Sequence, residues 1–71
     1  MQYCWRKDNK YYKLALQQNL FGTTDVVCCW GGIGSKLGGY KVISCNTEQD
    51  IINTIHKVHN RRRSRGYLAI L

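Results

Sequence analysis

Trp30-Gly31-Gly32-Ile33-Gly34-Ser35-Lys36, with Gly38-Gly39 just behind it, is the stretch on which the fold turns. Five of the chain's seven glycines fall between Gly31 and Gly39. Glycine serves where the backbone needs a positive φ or a very close neighbour. Immediately before it, Val26-Val27-Cys28-Cys29-Trp30 is rich in β-formers and reads as a strand. Immediately after it, Tyr40-Lys41-Val42-Ile43-Ser44-Cys45 reads as another. The unit is therefore a strand, a glycine-bearing loop and a returning strand, with an indole at the loop's entry.

Working outward toward the N-terminus, Asn19 to Thr24 contains Gly22 and reads as a turn. Before it, Tyr11 to Gln18 alternates cleanly, with Tyr12, Leu14 and Leu16 on one face and Tyr11, Lys13, Ala15 and Gln17 on the other. That is a half-buried strand. Asp8-Asn9 is a second turn signal, and Gln2 to Lys7 is the strand hairpinned to it. The strand Asp25 to Gly31 is apolar on both faces. If Val27 and Cys29 face the helix, Trp30 falls on the opposite side of the sheet.

Toward the C-terminus the period changes at Asn46-Thr47. Thr47-Glu48-Gln49-Asp50 has the form of a capping box, with acids in the first turn. Ile51, Ile52, Ile55, Val58 and His59 then recur at helical spacing, predicting a helix from about Glu48 to Ser64. Its stripe of Ile51, Ile55 and Val58 should lie on a sheet face. Arg61-Arg62-Arg63 suits the last turn, and Gly66 suits the residue just past the end. Tyr67 to Leu71 is too apolar to dangle and reads as a short final strand or packed segment. The expected fold is a two-layer α+β domain, an antiparallel sheet of four to five strands with one helix packed on one face.

Seventy-one residues set the expectation of one domain spanning 1–71. A chain this short buries only about 60% of its unfolded surface. Hydrophobic residues make up 44%, and there is no proline, which argues against disorder. No apolar run approaches the roughly 18 residues of a membrane span. Eleven Lys and Arg against four Asp and Glu give a net charge of +7, a bias that points toward polyanionic partners. Cys4, Cys28, Cys29 and Cys45 lack CxxC spacing, and no leader is visible. We read them as free thiols in a reducing, cytoplasmic setting.

The residues that could carry chemistry are few. An indole at a strand end can stack on a base or sugar, although Trp30 can equally be core. The glycines could offer a nest of backbone N–H groups to a phosphate, or serve loop geometry alone. Lys36 is not in a GK[ST] frame, so this is no P-loop. Lys36, Lys41, Arg61, Arg62, Arg63 and Arg65 form the basic set, and several converging cations are what a phosphate backbone requires. His56 and His59 lack a third ligand, so neither a metal nor another cofactor is expected. Glu48 and Asp50 look like capping residues and Asp8 and Asp25 like turn-flanking ones, which leaves no carboxylate pair for acid–base catalysis.

The chain resembles the WGR domain family. The resemblance rests on Tyr3-Cys4-Trp5, Tyr12-Lys13-Leu14-Ala15-Leu16, Trp30 to Ser35, the helix Glu48 to Ser64, and Arg65-Gly66-Tyr67, in the family's order. Gly32 replaces the arginine of the name. The family occurs as a module of DNA-damage-responsive ADP-ribosyl transferases and as small single domains in bacterial proteins. The resemblance implies an accessory nucleic-acid-binding module, DNA and its ends being the ligand, with Trp30 against nucleotide sugar. The expected contact set is Trp30, Gly31, Lys36, Lys41, Arg61, Arg62, Arg63 and Arg65. The competing reading is a protein-interaction module whose same basic surface takes an acidic partner. Neither reading involves a membrane.

Overall fold

A computed structural model describes residues 2–70. Five strands and one helix follow in the order β1 (Gln2–Lys7), β2 (Lys10–Gln18), β3 (Thr24–Gly32), β4 (Gly38–Cys45), α1 (Glu48–Ser64) and β5 (Leu68–Ile70). The sheet is antiparallel throughout, with strand order β4-β3-β2-β1-β5. The expected two-layer α+β architecture is what the chain adopts, with the larger of the anticipated strand counts. The tail joins the sheet, Trp5 pairing with Ala69; Leu71 lies outside the described residues.

The turns follow from local chemistry. Asp8 takes a left-handed φ of 52° between β1 and β2. Between β2 and β3, the Asn19 carboxamide oxygen accepts the N–H groups of Phe21 and Thr23 at 2.9 and 3.2 Å. The helix begins where the Thr47 hydroxyl accepts the Asp50 N–H at 3.1 Å. It ends in a Schellman motif, in which Gly66, at φ 86°, donates to the Arg63 carbonyl and Tyr67 donates to that of Arg62. The expected helix bounds and both caps are therefore found.

One side of the sheet carries the core. Leu14, Val26 and Cys28 are fully buried, with Trp5, Tyr12, Cys45 and Val58 nearly so. Ile51 and Ile55 pack against this cluster as anticipated, whereas Ile52 is 43% exposed and points away from it. A second expectation is corrected. Trp30 lies on the helix side together with Val26 and Cys28, and Val27 and Cys29 occupy the other face. The cause is register. Tyr12, Leu14 and Leu16 pair with Trp30, Cys28 and Val26, and directly paired residues share a face. An internal strand apolar on both sides cannot declare its own orientation, so its neighbour declares it.

Candidate nucleic-acid interface

A single cross-strand row organises the site. Ala69, Trp5, Tyr12, Trp30 and Gly39 pair directly across all five strands. Trp30 and Tyr12 stack with ring centroids 5.7 Å apart and planes 9° apart. On the far side the indole lies over Gly39, where a Cβ would sit 2.8 Å from a ring carbon. Next to it, a side chain on Gly38 would collide with the Trp30 carbonyl. These two glycines let β4 close on the indole. Three N–H groups of the loop beyond them are spent internally. Ile33 donates to the Asn9 carbonyl at 2.6 Å, Ser35 to the Gly32 carbonyl at 3.1 Å, and Leu37 to the Ser35 hydroxyl at 3.1 Å. The glycine stretch therefore serves close packing and turn geometry, and these N–H groups form no nest.

The helix C-terminus comes to the same place. Lys7 donates to the Arg65 carbonyl at 2.7 Å, tying the helix end to β1. The Arg62 guanidinium lies 4.3 Å from the Tyr12 ring centroid and 5.1 Å from that of Tyr67. A cation held between two rings is stabilised by their quadrupoles. Among the described residues its buried Nε has no hydrogen-bond partner. Burial, and then the hydrogen bond with the Cys28 thiol, pushes the Tyr12 hydroxyl up to about 12, while Arg62 pulls the other way. Tyr12 therefore remains neutral beneath the arginine.

Around Arg62 open three lobes of a cleft between α1 and the β3–β4 side of the sheet. One, of about 410 Å³, is lined by Tyr12, Trp30, Lys41, Arg61, Arg62 and Arg65. A second, of about 370 Å³, adds Lys10, Gly31 and Tyr67. The third, of about 630 Å³, adds Thr54, Lys57 and Asn60. Among the described residues, no carboxylate lines any of them. Cations along a cleft with low-dielectric walls concentrate its field.

Of the residues expected from sequence, Trp30, Gly31, Lys41, Arg61, Arg62 and Arg65 line this cleft. Lys36, in the loop, and Arg63, on the helix, are exposed and line no lobe of it. Tyr12, Lys10, Tyr67 and Lys57 line it as well and stand outside the expected set. Helical spacing holds a signal for one of them, since Lys57 lies four residues before Arg61. Gly32 lines the lobe that holds Lys10 and Arg62, and a Cβ there would meet the Ser35 side chain at 3.2 Å. Away from the cleft, the buried Trp5 indole donates to His59 Nδ1 at 3.3 Å. Among the described residues, no three of His, Cys, Asp and Glu gather as a metal set. Cys28 and Cys45 are buried, Cys4 and Cys29 half-buried, and all four are free thiols. Among the described residues, no helix is long and apolar enough to cross a membrane.

Comparison with family models matches the WGR domain over residues 2–70. Comparison with curated proteins and with solved structures returns no significant match.

Proposed function

The chain belongs to the WGR domain family, and on that footing we propose that it is an accessory nucleic-acid-binding module, with DNA and its strand ends as ligand. On this reading residues 1–71 act as one such domain and carry no catalytic machinery. The observation that carries the reading is the seat of Arg62. Its guanidinium rests on Tyr12, Tyr12 is stacked on Trp30, and Lys41, Arg61 and Arg65 line the same lobe of the cleft. A guanidinium fixed in this pose offers charge-assisted donors suited to a phosphate oxygen. Trp30, beside it, is where the resemblance places nucleotide sugar.

The carboxylates support the absence of catalysis. Glu48 and Asp50 occupy the first turn of α1. Asp25 accepts from the Asn19 amide and the Ser44 hydroxyl, both at 3.2 Å. The test is a titration with blunt duplex, nicked duplex, single-stranded DNA and RNA at two salt concentrations. The expected result is DNA binding in which log K falls linearly with log salt, by about 0.9 for each duplex phosphate neutralised. No affinity for any of the four at low salt would overturn the reading and leave the surface to an acidic protein partner.

A further inference from the structure

The three lobes are one groove. The lobe holding Lys57 shares Tyr12, Lys41, Arg61 and Arg62 with the middle one. The middle lobe shares Trp30 and Arg62 with the lobe holding Lys10 and Tyr67. One wall is the helix from Thr54 to Arg65, a rise of roughly 17 Å. The other wall is the sheet, with Lys41 on β4 and Trp30 and Gly31 on β3. The floor is aromatic, Tyr12 stacked on Trp30. Cations recur along the whole length: Lys57, Lys41, Arg61, Arg62, Arg65 and, at the far end, Lys10.

The shape selects among nucleic acids. A duplex is a convex cylinder with its bases stacked inside, so it can rest on the rims of such a groove without filling it. A single strand can enter, with phosphates against the cationic walls and sugars toward the open edge of the half-buried Trp30, whose two faces Tyr12 and Gly39 cover. We propose that this groove is a binding path for single-stranded DNA, an inference that rests on the nucleic-acid reading above and names the form of the ligand. Its length suits about five stacked nucleotides at 3.4 Å per step, and fewer if they unstack. Lys57 is the diagnostic residue. It lies roughly 12 Å along the helix from Arg65, and only a strand occupying the full groove reaches it.

The experiment is fluorescence anisotropy at low salt, with labelled oligothymidylates from about two to about twelve nucleotides and a blunt hairpin duplex. Three proteins are compared: wild type, Lys57→Glu and Lys13→Glu. Lys13 lies over the Tyr11 ring on the face away from the helix, so its variant matches the charge change outside the groove. The expected wild-type affinity rises with length and levels off near about five nucleotides, at about tenfold or more above the duplex. Lys57→Glu should weaken binding of the longer oligomers about tenfold, and Lys13→Glu less than about twofold. Duplex binding as tight as single-strand binding, or equal losses in the two variants, would overturn the groove while leaving nucleic-acid binding intact. Binding of nothing would remove the parent reading and the groove with it.

Discussion

Toward β3 and β4, the helix looks across a cleft at Lys41 and Trp30 and lines its own side with Lys57, Arg61 and Arg65. Toward β1 and β5, the same helix closes on Tyr3, Trp5 and Ala69 through Ile55 and His59, leaving an apolar groove of about 290 Å³. Among the described residues, no Lys, Arg, Asp or Glu lines that groove. The two flanks differ because the helical repeat sorts them. Lys57, Arg61 and Arg65 recur every four residues along one line, and Ile55 and His59 along another. Between them Thr54, Val58 and Arg62 follow the seam over the sheet. Like charges four apart weaken a helix by about 0.2–0.5 kcal/mol per pair. The basic flank stands against that cost, which the favourable placing of Arg61 in the last turn of the helix partly offsets.

The comparison can be broken most forcefully from the apolar side. Trp5 is 2% exposed, meets Tyr12 edge-on with centroids 6.0 Å apart, and hydrogen-bonds His59. Trp5→Ala should lower stability by about 3–5 kcal/mol in urea unfolding. A loss of only a few tenths would mean that this flank is not the structural one. On the other side, Trp30 is half-buried and lines two lobes of the cleft. Trp30→Ala should leave the protein folded and reduce binding by about 1–3 kcal/mol, with little change in the salt slope. Complete unfolding of this variant would return the indole to the core alone.

The smallest effect is at the seam. Burial and the Cys28 thiol raise Tyr12 from the ordinary 10.0 to about 12. The folded protein thus keeps a proton that the unfolded chain loses. Its contribution to stability is complete below pH 10.0 and declines as pH rises through about 12. Tyr12→Phe should flatten that decline in unfolding curves across the same interval. A decline of equal steepness in the variant would assign it to other groups.

Much of the fold is legible in the sequence. Alternation in Tyr11–Gln18, the Thr47 cap, the arginines of the last turn and Gly66 each express a local rule, and local rules set strand and helix bounds. The facing of Trp30 is not legible from β3 itself, because both of its sides are apolar. Pairing with Tyr12, Leu14 and Leu16 is what orients it. The site is legible in its charge and its indole, but charge alone does not separate Lys36 and Arg63 from the cations that line the cleft. Tyr12 and Lys10 carry no local signal, because register brings them to Arg62 across long sequence separations, whereas Tyr67, just past Gly66, is placed by the Schellman turn.

The chain has two tryptophans, and the fold places one on each flank of the helix. Their indole N–H signals in a proton–nitrogen correlation spectrum therefore report the two flanks separately. Titration with single-stranded DNA at low salt should move the Trp30 signal progressively and leave that of Trp5, held by His59, in place. A shift confined to Trp5, or equal shifts of both, would contradict the assignment of binding to the cationic flank.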